Sequence, residues 1–364
     1  MKYIDEYRNP DLVRSLLDAV SSLAAGIGRE VSLMEICGTH THAIGRYGIR
    51  RLLPKNLRLI SGPGCPVCVT SVADVDRALY LTGLPDVMFA TFGDMLRVPG
   101  TGGESLQRLR ASGADVRIIS SAADAVRFAV ENPVRQVVLM GIGFETTAPT
   151  VAAAVLSARR RGVGNFSVFS VHKTVPQAIR ALIEDRLLKI DGFICPGHVS
   201  IITGVEAYRM IPQAGRAAVI TGFEPADIAE GILMILRQVA EGRFEVANQY
   251  TRGVKEKGNP RARDVMAEVF EPSDADWRGL GVIPGSGLRI RREYEGFDAL
   301  RRFALPEIRS VEFKGCRCGE ILRGVMSPDE CNLFMKTCTP ANPVGPCMVS
   351  GEGTCAAYYK YEKK

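Results

Sequence analysis

Short apolar segments recur between about residues 31 and 240, and each is followed by a turn and then by an amphipathic segment of helical period. The apolar segments are nearly continuous runs of Val, Ile, Leu and Phe, which is typical of strands covered on both faces. Strands that alternate with helices predict a parallel α/β architecture. The predicted strands cover residues 31–37, 57–61, 86–92, 115–121, 134–140, 166–171, 191–195 and 217–223.

Units of this kind can close into one barrel or divide into two open sheets, and the hydrophobic pattern does not decide between the two. A weak boundary lies near residues 120–133. After about residue 242 the pattern ends, and polar and Gly/Pro-rich segments lead to a cysteine-rich tail. We expect this last part to form a smaller domain, packed with an N-terminal helix around residues 11–25.

Composition and charge exclude several classes of function. The net charge of +6 is spread along the chain, and Tyr47 is the only aromatic residue within the arginine clusters at 46–51 and 159–161, so we expect no nucleic-acid surface. No apolar run approaches the ~18 residues of a membrane span. The first ten residues are polar and include acids, which is not typical of a signal peptide. We therefore expect a cytoplasmic protein that does not bind membranes.

Cysteine is abundant, and six of the ten cysteines lie after residue 315. Because the expected compartment is reducing, metal-binding or catalytic thiols are a better interpretation than a framework of disulfides.

The side chains that would be unusual in a plain core follow the ends of predicted strands. All four histidines and all four cysteines outside the tail do so, as do an aspartate and a glutamate. The carboxyl ends of parallel strands meet at one edge, where ligands bind, so the pattern predicts an active cleft. Its candidate residues are Cys37, His40, His42, Cys65, Cys68, Asp94, Glu145, His172, Cys195 and His198.

Several of these residues also have a purely structural interpretation. The segment "GIGFETT" lacks the third glycine of a dinucleotide fingerprint, so Glu145 lies in a turn that either caps a helix or lines the cleft. We expect His172 to be a structural histidine and Cys195 a buried, inert thiol. Cys37, with His40 and His42 nearby, fits a soft-metal site. No Walker A sequence is present, so an ATP site is not supported.

The segment "GPGCPVC" holds Cys65 and Cys68 two residues apart. Such a pair is half of a zinc site, part of an iron–sulfur site or a redox dithiol. A zinc site would need a second pair, and only Cys37 and Cys195 remain outside the tail. We therefore favour a redox dithiol, and we expect the N-terminus of a helix beginning near Thr70 to lower the pKa of one thiol.

The tail has the spacing C-x-C-x12-C-x6-C-x8-C-x7-C. It contains no C-x-x-C, and its thiols exceed the four that a zinc ion or a cubane cluster requires, so four ligands plus a spare pair is the economical interpretation. Its glycines and prolines allow the backbone to approach a cluster and donate hydrogen bonds to sulfur. No histidine follows His198, which excludes a Rieske-type centre in the tail.

Together the segments "EICGTHTHAIGRYGIR", "SGPGCPVC", "TFGDMLRVPG", "GFETTAP", "PGHVS" and "CTPANPVGPCMVSGEGTCAAYYKY" resemble the HypD family of hydrogenase maturation proteins, in the same order along the chain. The resemblance implies two parallel-sheet α/β lobes plus a smaller C-terminal iron–sulfur domain. We divide the chain accordingly into a first lobe at 31–120, a second lobe at 121–240 and a [4Fe–4S] domain at 241–364 that includes the N-terminal helix within residues 1–30.

The resemblance also implies a function. The protein would be a redox-active scaffold that assembles the Fe(CN)2CO unit of [NiFe]-hydrogenases with a HypC-type chaperone. Cyanide would come from a HypE-type partner that is charged by a HypF-type carbamoyltransferase. Neither a stand-alone turnover reaction nor the source of carbon monoxide follows from the sequence.

Residue roles follow from the same resemblance. Cys37 corresponds to the iron-binding cysteine, and Cys65 with Cys68 to a dithiol in the cleft. We expect His40, His42, Asp94, Glu145 and His198 to deliver protons or orient the cyanide donor. The predicted cluster ligands are Cys316, Cys331, Cys338 and Cys355, and the spare redox pair is Cys318 and Cys347.

Two other functions fit the bare pattern of cysteines. One is a general disulfide reductase supplied by the cluster, which would need no iron from a partner. The other is a binding module whose tail is a structural zinc domain. An anaerobically purified cluster protein is brown, whereas a zinc protein is colourless.

Overall fold

The computed structural model describes residues 4–185 and 187–362 of the chain and contains two open parallel sheets. Sheet 1 has the order β2-β1-β7-β8-β9, and sheet 2 has the order β4-β3-β5-β6. The strands are β1 (Val31–Glu35), β2 (Leu57–Ser61), β3 (Val87–Thr91), β4 (Val116–Ile118), β5 (Gln136–Gly141), β6 (Phe166–Ser170), β7 (Gly192–Pro196), β8 (Ala217–Thr221) and β9 (Val246–Asn248). The architecture with two open sheets is therefore the one that forms, not a barrel.

Helices cover both faces of each sheet and extend into the tail. They are α1 (Pro10–Ile27), α2 (Gly38–Arg46), α3 (Ile49–Leu52), α4 (Pro66–Val69), α5 (Val72–Thr82), α6 (Leu106–Ala111), α7 (Ala122–Glu131), α8 (Ala148–Arg160), α9 (Val175–Glu184), α10 (Gly197–Thr203), α11 (Met210–Gln213), α12 (Pro225–Glu241), α13 (Pro260–Val269), α14 (Ala299–Arg302), α15 (Cys318–Leu322) and α16 (Thr354–Tyr361). Short 3₁₀ helices lie at Asp5–Arg8, Gly93–Arg97, Thr101–Gly103, Glu206–Tyr208, Arg292–Phe297, Pro328–Glu330 and Pro346–Met348.

The predicted lobe boundaries divide the chain at residue 120, but the two sheets do not follow this division. Strands β3 and β4 were expected in the first lobe, but β3 pairs with β5 in sheet 2. Strand β7 was expected in the second lobe, but it lies beside β1, with Leu33 opposite Gly192. Residues 31–61 and 192–248 therefore share one sheet. The hydrophobic pattern identifies strands, but the crossover connections between them choose their neighbours.

Helix α1 belongs to the layer on sheet 1, which corrects its expected packing with the cysteine-rich part. Val20 and Ala24 are fully buried in a core that also contains Val31 of β1 and Ile232 of α12. Asn9 caps the helix by accepting hydrogen bonds from the amides of Asp11 and Leu12, which starts the helix with its apolar side toward the sheet.

An antiparallel hairpin, β10 (Phe270–Trp277) and β11 (Gly281–Ile290), follows α13 and was not predicted. Its Trp277 is fully buried, donates to the Ser286 hydroxyl at 2.8 Å and stacks on Phe144 at 5.9 Å between ring centroids. Strand β10 alternates between exposed and less exposed positions along most of its length, whereas β11 does not alternate regularly, and its segment "GVIPGSGLRI" is rich in glycine and contains a proline.

The tail folds back onto the carboxyl ends of both sheets. Helix α16 packs on α2, where a β-carbon at Gly45 would lie 3.0 Å from the Tyr361 ring. Arg97, which follows β3, donates to the carbonyl oxygens of Pro340 and Val349 at 3.0 and 3.1 Å. The cysteine-rich segment is thus held by elements of sheet 1 and of sheet 2.

No helix among the described residues is long and apolar enough to cross a membrane.

Candidate functional site

Cys37 lies between β1 and α2, at the carboxyl edge of sheet 1. It occupies the N-cap position of α2, and its amide donates to the Glu35 carboxylate at 3.1 Å. The residue is 7% exposed. Burial, with the nearby charges of Glu352 and Glu35, raises the pKa of the thiol to about 12, against an opposing effect of the His40 amide, which hydrogen-bonds the thiol. Cys37 is therefore a neutral thiol at physiological pH in the metal-free protein.

The loop that carries Cys37 packs directly on the loop that carries Cys65 and Cys68. The Gly38 amide donates to the Gly64 carbonyl oxygen at 2.9 Å, and the Gly62 amide donates to the Glu35 carbonyl oxygen at 2.8 Å. A β-carbon at Gly64 would lie 2.1 Å from the backbone nitrogen of Cys37. Glycine is thus required at position 64, because the two backbones touch.

Cys65 and Cys68 begin and end one turn of helix. Cys65 caps α4, and its sulfur accepts a hydrogen bond from the Cys68 amide at 3.3 Å. Cys68 is fully buried, and burial raises its pKa well above the ordinary value. The helix expected near Thr70 forms as α5, which begins at Val72 after its N-cap Ser71. The lowered pKa that we expected from it is wrong for Cys68, because burial outweighs any effect of the helix dipole.

All six tail cysteines line one cavity. Cys318 and Cys347 are buried at 4% and 1% exposure, whereas Cys316, Cys331 and Cys355 are partly exposed. The Val344 amide donates to the Cys338 sulfur at 3.4 Å. The predicted approach of the tail backbone to sulfur is thus present, and the arrangement is compatible with an iron–sulfur cluster.

The cysteine sulfurs form a continuous path from this cavity to the cleft. The Cys316 side chain lies beside that of Cys318, and Cys318 lies beside Cys347. Cys347 lies beside Cys68, whose amide donates to the Cys65 sulfur. Two dithiols from distant parts of the sequence therefore lie in contact.

Within the described residues, no group of three or more His, Cys, Asp or Glu side chains is arranged to hold a metal ion. The tail thiols surround a cavity instead. Each iron of a cluster takes one thiolate, so its ligands stand apart from one another, whereas a zinc ion draws four ligands to one point.

His40 lies on α2, three residues after Cys37, and His198 lies beside His40 across the ring of Phe223. His40 is fully buried, and its Nε2 lies 2.9 Å from the Gly222 carbonyl oxygen and 2.8 Å from the Thr221 hydroxyl. Burial lowers the pKa of His40 to about 4, so its ring is neutral. His198 is more exposed and stacks on Phe223 at 4.0 Å, on a ring that also contacts His40 at 4.7 Å.

His42 and Asp94 have different surroundings from His40 and His198. The His42 ring contacts the Gly351 carbonyl oxygen at 3.3 Å and the Tyr361 hydroxyl at 3.2 Å, so it joins α2 to the tail. Asp94 is exposed and has no hydrogen-bond or ion-pair partner among the described residues. In the segment "TFGDMLRVPG", which contains Asp94, it is Arg97 that contacts the tail.

Glu145 is buried at the carboxyl end of sheet 2, where it accepts hydrogen bonds from the Val175 amide at 3.1 and 3.3 Å. It thus binds the N-terminus of α9. Thr147 stands at the N-cap of α8 without a side-chain cap, and it packs instead on Gly143. As expected, His172 and Cys195 are buried, and the His172 Nδ1 contacts the Ser170 hydroxyl at 3.0 Å.

Two carboxylates of the site were missed. Glu35 is fully buried and accepts hydrogen bonds from the Thr41 hydroxyl at 2.6 Å and the Cys37 amide. Glu352, from the tail, accepts from the Thr39 hydroxyl at 2.8 Å. Glu35 could have been noticed as an acid at the end of an apolar strand, whereas no local signal connects Glu352 with residues 37–39.

Comparison with known proteins gives one consistent result. The sequence model of the family HypD, described as "Hydrogenase formation hypA family", matches residues 11–362. The chain is 48% identical to the hydrogenase maturation factor HypD of Azotobacter vinelandii, with 100% of this chain and 98% of the relative covered. It is 47% identical to the HypD of Cupriavidus necator over 99% of this chain and 97% of the relative. It is 43% identical to the HypD of Escherichia coli, with 100% of this chain and 99% of the relative covered.

Gly64→Ala should destabilise the site, because the new methyl group would overlap the Cys37 backbone. Overpacking of this kind costs about 1–3 kcal/mol or more. Urea unfolding measures the change. Gly26→Ala is the matched control, since a β-carbon there meets nothing within 4 Å inside α1 and should stabilise the helix by about 0.5–1 kcal/mol. Equal midpoints for Gly64→Ala and the wild type would refute the close backbone contact.

Glu145→Gln should change how stability depends on pH. Burial raises the Glu145 pKa from 4.5 to about 7, so the folded state binds a proton more tightly than the unfolded chain. The wild type should therefore lose stability relative to Glu145→Gln as pH rises from about 4.5 to 7, by an amount on the order of 3 kcal/mol. Chemical unfolding across this range tests the sign. Glu131→Gln, an exposed carboxyl in α7, is the control, and the same pH profile for both variants would contradict the burial argument.

Proposed function

The chain belongs to the HypD family of hydrogenase maturation factors, and from this premise we propose that it is a redox-active scaffold on which the Fe(CN)2CO unit of [NiFe]-hydrogenases is assembled. One observation carries the proposal beyond family membership. The tail dithiol contacts the cleft dithiol through Cys347 and Cys68, and the cleft dithiol loop packs on the Cys37 loop. In this proposal the cysteine that binds the metal therefore lies next to the thiols that supply reducing equivalents.

The resident cofactor in this proposal is a [4Fe–4S] cluster held by Cys316, Cys331, Cys338 and Cys355. The cavity is lined by all four, and three of them are partly exposed, as ligands at the wall of a cluster site would be. A β-carbon at Gly345 would lie 2.5 Å from the Cys316 sulfur, so the glycine leaves that sulfur accessible. When bound, the cluster supplies electrons one at a time to the adjacent thiols.

The remaining tail cysteines then act as a dithiol that exchanges with Cys65 and Cys68. The Cys347 thiolate attacks the Cys68 sulfur of a Cys65–Cys68 disulfide, which forms a Cys347–Cys68 disulfide and releases the Cys65 thiolate. Cys318 attacks Cys347 next, which forms the Cys318–Cys347 disulfide and releases Cys68. Two electrons pass to the cleft pair, and the sulfurs that exchange are neighbours in the same order along the path.

The iron that receives cyanide and carbon monoxide is cargo, and Cys37 is its proposed ligand. A thiolate is a soft, electron-rich ligand that suits low-spin Fe(II) with strong-field diatomic ligands. Because Cys37 is a neutral thiol in the metal-free protein, binding of iron must release its proton. His198 and Glu352 adjoin the same loop, and we propose that they accept this proton and orient the cyanide donor.

The proposed partners follow from what the iron still needs. One thiolate leaves coordination positions open, and a HypC-type chaperone would supply a second. Cyanide would be delivered by a HypE-type protein that a HypF-type carbamoyltransferase charges. The partly exposed rim of His198 and Glu352 is the side from which such a donor would reach Cys37.

Cys37→Ala should fold normally and keep its cluster but carry no Fe(CN)2CO unit. The change removes one sulfur at the end of a strand, far along the chain from the tail ligands, and it takes away the only thiolate that this proposal gives to the cargo iron. Infrared absorption in the CN and CO stretching regions, measured on protein isolated with its chaperone, should show bands for the wild type and none for the variant.

Cys195→Ala is the control for this experiment, because Cys195 is fully buried in β7 and outside the sulfur path. It should lose some stability through a small cavity yet keep both sets of bands. Equal bands in Cys37→Ala and the wild type would move the cargo site to Cys65 or Cys68.

Cys331→Ala and Cys347→Ser should separate the two roles of the tail thiols. Cys331→Ala should lose iron and inorganic sulfide and unfold at lower temperature, because the binding energy of a metal site also stabilises the fold. Cys347→Ser should keep both but leave Cys65 and Cys68 oxidised after reductant is added, as measured by thiol labelling. If Cys347→Ser loses its iron and sulfide, the six thiols are divided differently.

A further inference from the structure

Arg278 places a buried positive charge beside the tail cysteines. It lies in the turn between β10 and β11, immediately after Trp277, and is 7% exposed. Its side chain lines a small cavity together with Cys316 and Cys318. An arginine stays protonated at any physiological pH, so this charge is permanent.

The guanidinium is incompletely paired. Its Nε lies 3.4 Å from the Glu312 carboxylate, but Glu312 is 59% exposed, so solvent weakens that interaction. The Nη1 is buried and has no hydrogen-bond partner among the described residues. A buried N–H without a partner is costly, and apart from the exposed Glu312 the groups of this cavity that could carry negative charge are the thiolates of Cys316 and Cys318 and whatever they bind.

The backbone holds this side chain in a defined position. The Arg278 amide donates to the Val69 carbonyl oxygen at 2.9 Å, at the end of the helix that carries Cys68. The next residue, Gly279, has a φ of +79°, and a β-carbon there would lie 2.0 Å from the α-carbon of Gly319, which follows Cys318. The turn is therefore wedged between the two dithiols, and the charge has little freedom to move away.

We propose that Arg278 is a positioning residue that sets the reduction potential of the tail centre by stabilising negative charge on Cys316 and on the cluster it would hold. This inference rests on the cluster assignment of the proposed function. Reduction adds one negative charge to a cluster, and a fixed cation in a poorly solvated cavity favours the more negative state. Arg278 therefore makes the centre easier to reduce and favours its loading with electrons before exchange with the dithiols.

The test is a redox titration of the purified, cluster-containing full-length protein, followed by visible absorption and electron paramagnetic resonance. Arg278→Gln should make the midpoint potential more negative by at least 59 mV, which corresponds to a tenfold change in the equilibrium constant of a one-electron reduction. Arg278→Lys keeps the charge and should retain most of the wild-type potential. A purely structural role would not distinguish Lys from Gln in this way.

Arg317→Gln is the matched control. Arg317 lines the cavity of the six tail cysteines and stands between Cys316 and Cys318 in sequence, but its side chain is 49% exposed and paired with Glu320. Solvent should screen its charge, and the potential should stay close to that of the wild type. A shift as large as that of Arg278→Gln would overturn the special role of the buried arginine.

Glu312→Gln gives a test of opposite sign that leaves Arg278 in place. Removing the exposed carboxylate frees the guanidinium charge, so the midpoint should move to a more positive value, by less than the change for Arg278→Gln. If Arg278→Gln fails to retain its cluster, Arg278→Lys and Glu312→Gln decide the matter. Unchanged potentials in both Gln variants with the cluster intact overturn this proposal, whereas a wild-type protein without iron and sulfide overturns the cluster assignment itself.

Discussion

The contact between the Cys68 and Cys347 thiols is the interaction on which the rest of the site depends, because it joins chain segments almost 280 residues apart. The contact requires α4 to begin directly after β2 and the 3₁₀ helix Pro346–Met348 to lie against it. Glycine makes both approaches possible. A β-carbon at Gly353 would lie 2.3 Å from the Cys347 carbonyl oxygen, and one at Gly64 would overlap Cys37. Close backbone packing, more than any side-chain bond, therefore brings the sulfurs together.

Burial controls the chemistry of these sulfurs. Cys65, Cys68, Cys318 and Cys347 belong to the same apolar core as Phe193 and Trp277 of the fold. In such surroundings an isolated charge is costly, and the pKa values of Cys68, Cys318 and Cys347 are raised well above the ordinary value. Glu35 shows the same constraint, since its buried carboxyl has hydrogen-bond donors on both oxygens. Ionisation of these buried groups is therefore expected only together with the binding of a cation.

The two sheets contribute unequally. Sheet 1 carries Cys37, the cleft dithiol, His40 and His198 at its carboxyl edge. The corresponding edge of sheet 2 makes structural contacts instead. Glu145 accepts hydrogen bonds at the start of α9, Phe144 stacks on Trp277, and Arg97 donates a hydrogen bond to the tail. The two sheets are both parallel, but the candidate reactive groups lie at the carboxyl edge of sheet 1, and the carboxyl edge of sheet 2 holds residues with structural contacts.

The sequence by itself determined eight of the nine strands of the two sheets, the chemical type of the cleft residues and the family, because hydrophobic period and motif spacing are local properties. Tertiary structure decided which strands are neighbours, since Gly192 pairs beside Leu33 only through a crossover of more than a hundred residues. It also decided which candidates meet. Glu352 reaches Thr39 and Arg278 reaches the tail cysteines across contacts that no spacing encodes. Asp94 and Glu145 look alike in their motifs, yet one is exposed and the other buried, because the burial of a side chain depends on what the rest of the chain packs over it.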